Sequence, residues 1–445
     1  MGMGKNSLKR EISLFGAFST VMGTVIGAGV FFKTASVVSF AQSPSLTIFA
    51  WFLGGILTLC AGLTSAELAT AIPKTGGAVK YIEYTYGKLP GFLLGWAQSV
   101  IYFPANIAAL SIIFATQFIH LFHLSNDFLL PIAFCTGLSV TVVNLLGTKI
   151  AANMQSFTLI IKMIPIALIV LVGLFMPANV EVSLFPVKAG GDTGFIQALS
   201  GSLLATMFAY DGWLGVGAVA GEMKRPEKDL PKAIFLGLTF ITIVYILINF
   251  VFLKTLPIEQ LSGNLNAASE ASNQIFGSIG GKLVTIGILI SVYGALNGYT
   301  MTGIRVPYAL ALEDMIPFSQ QFQKLSTKFV VPYVAGIFQF SIAAIMMFLG
   351  SFDLLTDMLV FVMWLFSLLI FSAVLILRKR EPALKRPYKV PFYPIIPIIA
   401  ILGGLFILIT TLFAQTKLAC VGIGITLLGI PFYLVNQKIK EGKTK

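Results

Sequence analysis

Two charged side chains stand where the sequence offers them little water. Lys162 lies in Ile160-Ile161-Lys162-Met163-Ile164-Pro165, inside a long apolar run. A lysine at the centre of a membrane helix costs about 2.5–3.5 kcal/mol on insertion scales, so it needs a partner or a role. It sits roughly 12 Å or more from the start of its run, at about 1.5 Å per residue, which is deep for snorkelling. The plainer alternative is an ammonium that still reaches the interface. Asp211 lies in Phe208-Ala209-Tyr210-Asp211-Gly212-Trp213. Its carboxylate could hold an ammonium, bind a proton or pair with a basic group. A solvated or helix-capping aspartate is the plainer alternative there.

Asp211 belongs to one of two glycine-broken hydrophobic segments. The first reads Gly23-Thr24-Val25-Ile26-Gly27-Ala28-Gly29-Val30-Phe31-Phe32, and the second runs from Phe208 to Gly217. Glycine weakens a helix by about 1 kcal/mol against alanine, so clustered glycines mark where it yields. An unwound turn at membrane depth frees backbone groups, which is tolerable only if they line a cavity or meet a ligand. Such segments in corresponding halves point to the midplane binding site of an inverted-repeat transporter. The alternative is that the glycines only permit close helix packing.

The elements that must carry these residues are membrane helices. Mean hydropathy is +0.90, 57% of residues are hydrophobic, and only 11% are charged. About a quarter would be charged in a soluble protein. Twelve apolar runs reach spanning length, about 20 residues. They fall at 12–38, 45–72, 89–121, 128–148, 150–176, 195–221, 233–256, 280–311, 331–350, 353–378, 394–414 and 417–436. The first is not a cleaved signal peptide, because no small-residue cleavage site follows it and glycines break its middle. The fold class is therefore an all-α integral membrane protein, one transmembrane domain over 1–445. The polar outer connection 257–279 is expected to hold a short lid helix.

The net charge of +12 does not imply nucleic acid. Threading the spans with the N-terminus inside places 24 of the 30 Lys and Arg residues in the cytoplasm. Lys33, Lys188, Lys254, Lys282 and Lys417 fall outside, and Lys162 stays in the membrane. This obeys the positive-inside rule and puts both termini in the cytoplasm. The basic excess reads as topology and contact with anionic lipid. Cys60, Cys135 and Cys420 lie in apolar runs without disulfide or metal spacing, and His120 and His123 are the only histidines. No metal site, cofactor or catalytic residue is expected.

Spans one to five cover 12–176 and spans six to ten cover 195–378. The halves match in length, and each opens with a broken helix. Five is odd, so the second half must be inverted relative to the first. The two helices of 394–436 fall outside this 5+5 repeat.

The motifs resemble the L-amino acid transporter (LAT) family of the APC superfamily, over nearly the whole chain. They are Gly23 to Phe31; Glu67-Leu68-Ala69, Pro73, Gly76-Gly77, Tyr81, Tyr86-Gly87, Gly91 and Gly95-Trp96; and Phe208 to Trp213 with Glu222-Met223, Pro226, Leu230-Pro231 and Ala233-Ile234. Asn297-Gly298, Trp364-Leu365 and Pro382 to Val390 extend the pattern. The nearest likeness is to bacterial alanine-serine-cysteine and serine/threonine exchangers.

The resemblance implies a LeuT-type fold and a substrate site at Ile26, Gly27, Ala28, Gly29 and Val30 together with Phe208, Ala209, Tyr210, Asp211 and Gly212. The N–H groups of Ala28, Gly29 and Val30 would hold a substrate carboxylate. Carbonyls near Ile26 and from Phe208 to Asp211 would take the ammonium. Lys162 would stand against the first break, where sodium-coupled relatives hold a cation. Asp211 departs from the animal pattern, which has glycine there. Phe208 is a candidate gate and Trp364 a candidate far wall, each against the alternative of ordinary helix packing. Tyr245 is a candidate hydrogen-bond donor across the bundle, Asn297 a supporting residue, and Glu67 a structural one.

The expected function is sodium-independent exchange of small neutral L-amino acids, such as alanine, serine, cysteine and threonine, in a bacterial inner membrane. Its nearest rival is proton-coupled symport using Lys162 or Asp211. A cationic amino-acid or polyamine carrier fits less well. A channel would need a continuous polar stripe, and an enzyme a nucleophile–base set; neither is seen. Animal relatives are joined to a heavy chain through a cysteine in the outer loop after span three. Here that loop, about His120 to Asp127, has none, so no covalent partner is expected.

Overall fold

The protein is all-helical in a computed structural model that describes residues 13–72, 77–213 and 223–444. Backbone polar groups in lipid must be satisfied within the segment, and helices do this. Helices α1 (Leu14–Val25) and α2 (Gly29–Ala41) form one span bent by 48°. Helix α3 (Pro44–Ala71) starts where Ser43 Oγ accepts from Leu46 N and Pro44 takes the first turn. Helices α4 (Ala78–Tyr86) and α5 (Lys88–Ala97) follow, and a π-helical turn, Gln98–Tyr102, leads into α6 (Phe103–Phe122). Next come α7 (Leu129–Leu145), α8 (Thr148–Phe175) and α9 (Phe195–Ala209).

The later elements are α10 (Pro226–Thr255), α11 (Ile258–Leu261), α12 (Ala267–Gly303), α13 (Arg305–Leu312) and α14 (Ser319–Phe322). They are followed by α15 (Tyr333–Leu349), α16 (Phe352–Arg380), α17 (Ile395–Ala414), α18 (Thr416–Leu427) and α19 (Gly429–Thr444).

Among the described residues nine segments are long and apolar enough to cross a membrane, ten with the bent pair. The expected spans six and nine appear as α9 and α15, apolar helices of 15 and 17 residues. The part of span six after Trp213 lies outside the described residues, as do Leu214 to Gly217 of the second glycine segment, Pro73, Gly76 and Glu222. The connection 257–279 holds helices before the eighth span, as expected: α11 and the first part of α12. Residues 267–276 are polar yet helical, and they join the apolar stretch through Gly277 at φ 72°.

Helix α8 shows how the molecule meets lipid. Phe157, Ile160, Ile164 and Leu171 are exposed at helical spacing, while Thr158, Lys162, Ile166 and Ile169 face inward. A soluble amphipathic helix would turn its apolar face to the core instead. Inside the bundle α8 packs along α12, α10 along α3, α1 along α10 and α2 along α9. The two broken segments therefore meet at the centre.

Two charges depart from their expected positions. Lys33 is not in outer solvent; its side chain is fully buried between α2 and α16. Its partners lie 320 and 324 residues away, beyond any local pattern. Lys254 is also buried, and its Nζ donates to the carbonyls of Leu174 at 3.0 Å and Met176 at 2.7 Å. There it satisfies the last carbonyls of α8.

Candidate functional site

The first break is Ile26–Ala28, shorter than the expected Ile26 to Val30. Ile26 is extended (φ −71°, ψ 106°), and Gly29 and Val30 already belong to α2. Ala28 is the N-cap, with its carbonyl accepting from Phe31 N and Phe32 N. The N–H groups of Gly29 and Val30 precede any intrahelical acceptor, so the start of α2 presents donors and a positive dipole end.

The second break begins where α9 ends at Ala209. Tyr210 N donates to Thr206 O and Asp211 N to Phe208 O, closing a last turn. Gly212 then takes φ +104°, a conformation L side chains rarely adopt. A Cβ on Gly212 would lie 2.6 Å from Thr24 O, and one on Gly29 only 2.5 Å from Ala209 Cα. These two glycines let the broken segments touch. Gly27 is different, because its nearest neighbour would be 3.8 Å away.

Four side chains bind the two segments. Lys162 Nζ donates to Gly23 O at 2.6 Å and Ile26 O at 2.5 Å. Only 3% of Lys162 is exposed, which removes the snorkelling alternative. Tyr245 Oη bridges the two segments, donating to Val25 O at 3.2 Å and Ala209 O at 3.0 Å. Asp211 accepts from Tyr102 Oη at 2.5 Å and from Tyr299 Oη at 3.5 Å. Asp211 is thus partnered rather than solvated.

Tyr102 and Tyr299 were not evident in the sequence. Tyr102 ends the π-helical turn just before Pro104, which has no N–H to give. Phe103 N reaches back to Gln98 O, and the extra residue re-aims the side chains of this turn. The nearby proline was the one available signal.

The remaining expected residues divide. Tyr210 is buried, and its Oη donates to Trp51 O at 2.8 Å, so it offers the break only its backbone. Asn297 ties α12 to α7 and α8: it accepts from Asn144 Nδ2 and donates to Ala151 O and Gln155 Oε1. Glu67 is held by Arg378 through Nε at 2.8 Å and Nη2 at 2.6 Å, and it accepts from Val390 N. Phe208 packs edge-on against Phe352, with ring centres 5.7 Å apart.

Asp211, Trp213 and Trp364 line a small cavity with Thr58, Met207 and Val360. Its volume is about 10 Å³, room for about one water. In this conformation the cavity has no room for a molecule the size of an amino acid. Among the described residues no group of histidine, cysteine and acidic side chains could hold a metal.

Residues 12–435 match the amino acid permease family. The chain belongs to that family. The permease is 42% identical to the serine/threonine exchanger SteT of Bacillus subtilis, over 98% of each chain. It is 30% identical to the human cystine/glutamate transporter, over 97% of this chain and 86% of the relative. It is 28% identical to the mouse b(0,+)-type amino acid transporter 1, over 98% and 90%. The permease is a multi-pass membrane transporter, not an enzyme.

Proposed function

We propose that this permease exchanges small neutral L-amino acids, without sodium, by alternating access in a bacterial inner membrane, with both termini in the cytoplasm. The observation that carries the reading is the Lys162 ammonium on the carbonyls of Gly23 and Ile26. Those oxygens are freed by the break and suit a cation. A tethered ammonium supplies that charge permanently, so no ion need enter with the substrate. The likeness to a serine/threonine exchanger supports both the exchange and the size of the substrate.

In this reading the N–H groups of Gly29 and Val30 receive the substrate carboxylate. The ammonium goes to those carbonyls of Phe208 to Asp211 that no side chain engages, since Lys162 already engages Ile26 and Tyr245 engages Ala209. Trp364 and Met363 bound the side chain. The spans are twelve, in a 5+5 inverted repeat over 12–176 and 195–378, with 394–436 added. The near contact of Gly29 and Ala209, one from each half, supports that division.

Proton-coupled symport is the second reading, favoured by the place of an acid, Asp211, on the wall of the central cavity. Uptake into liposomes with sodium replaced by choline, with and without an imposed pH gradient, separates the two. Uptake that needs neither sodium nor a gradient supports exchange. Gradient-driven accumulation supports symport.

A further inference from the structure

Helices α8 and α12 part on their membrane side and leave a groove of about 280 Å³. Ile161, Pro165 and Leu168 of α8 line it with Phe276, Leu283 and Gly287 of α12, and no lining residue carries a polar side chain. At its floor the helices nearly touch, since a Cβ on Gly287 would lie 2.6 Å from Pro165 Cγ. Its rims face lipid: Ile164 is 52% exposed and Leu283 65%. Pro165 follows Lys162 by three residues, so the groove backs the part of α8 that holds the first break.

One charge stands on the same lipid-facing surface. Ile279, Lys282, Leu283 and Ile286 are exposed at the spacing of a single helix face. Lys282 is the one charged residue between Glu270 and Arg305. Among the described residues nothing pairs with its ammonium. A cation on a spanning helix is costly unless it reaches the interface or meets an anion. Lys282 lies five residues past Gly277, where the polar start of α12 joins its apolar part. That is about 8 Å at about 1.5 Å per residue, within reach of the interface.

The two features call for an occupant with an apolar chain and an anionic head. A helix, about 10–12 Å across, is too thick for this groove, whereas one methylene chain is not. Water gains nothing there, because the walls offer it no hydrogen bonds.

We propose that the groove binds one acyl chain of an anionic glycerophospholipid, with the lipid phosphate on the Lys282 ammonium. The chain packs against Pro165 and Gly287, and so bears on the helix that carries Lys162. The site does not depend on what the permease transports.

The test uses the purified permease in phosphatidylcholine vesicles containing a minor share of phosphatidylglycerol with a diazirine in one acyl chain. After irradiation, labelled peptides are identified by mass spectrometry. Segments 161–168 and 276–287 are expected to label several times more strongly than the lipid-facing residues Ile337 and Ile345 of α15. Excess unlabelled phosphatidylglycerol should displace the probe, and inorganic phosphate should not. Lys282→Gln is expected to lower groove labelling about fivefold, the factor for about 1 kcal/mol of attraction between one lysine and anionic lipid. Lys282→Arg should retain it. Leu283→Trp fills the groove from its rim and should remove groove labelling while α15 labels as before, which a general loosening of the fold would not allow. Groove labelling no stronger than that of α15 overturns the proposal, and a second copy of the chain seated there would give that result. Labelling that either Lys282→Gln or Leu283→Trp leaves unchanged overturns it too. So does displacement by inorganic phosphate, which would make Lys282 a plain anion site.

Discussion

The ammonium of Lys162 lies 2.5 Å from the carbonyl oxygen of Ile26, the first residue of the helix break. A second carbonyl, Gly23 O, is 2.6 Å away. One side chain thus satisfies backbone that the break exposes, and it brings a positive charge to the centre of the bundle.

Lys162→Ala is expected to reduce transport far more than stability. It leaves two buried carbonyls without their donor, a penalty of about 1–3 kcal/mol for each unmet group. It also removes a charge that is costly to bury, and the two effects oppose each other. Transport has no such offset, because the break loses its tie and the site its cation. Thermal unfolding in detergent and exchange in liposomes measure the two. Wild-type kinetics in a well-folded variant would reduce Lys162 to a structural residue.

Tyr245→Phe should loosen the two segments from each other. The hydroxyl is the one side-chain donor seen to join Val25 O to Ala209 O. Its loss costs about 1–3 kcal/mol if the carbonyls stay dry, and weaker substrate binding should accompany it. A Tyr245→Phe variant with unchanged melting and unchanged affinity would show that the bridge is dispensable.

Glycines that look alike in the sequence should behave differently. Gly29→Ala drives a Cβ into the backbone of Ala209, and overpacking of this kind costs about 1–3 kcal/mol or more. Gly212→Ala adds strain at φ +104°. Gly27→Ala meets nothing closer than 3.8 Å and should be tolerated. Melting curves and alanine binding across the three variants check this order. Equal tolerance at Gly27 and Gly29 would contradict the packing seen between α2 and α9.

These contrasts mark what the sequence could and could not reveal. Hydropathy located the spans closely; 353–378, for example, is observed as Phe352–Arg380. Residues 267–276 lie in the polar connection where a short helix is expected, and they are helical, with Ser269 buried against Gln117. Glycine clusters located the first break and the end of α9, because helix weakness is a local property. Which glycine touches what is not local, and Gly29 and Ala209 are neighbours only in the folded bundle. Lys33 was left in solvent for the same reason. The rule that an intramembrane lysine needs a partner applies to it as to Lys162, but its acids follow more than 300 residues later. Tyr102 was hidden by a π-helical turn, whose shift of register no periodicity announces.

The single polypeptide is expected to transport without a second protein. The loop from about His120 to Asp127 has no cysteine, and Cys135 lies within α7, inside a spanning segment. A disulfide to a partner's ectodomain is chemically unavailable there. Purified protein that stays inactive in liposomes until another protein is added would contradict this.

Counter-flow decides the central claim. Liposomes holding the purified permease are loaded with unlabelled serine or alanine, or left empty, and given labelled serine outside without sodium. Loaded vesicles are expected to take up label rapidly and empty ones little. Strong accumulation in empty vesicles under a sodium or proton gradient would contradict the exchanger account.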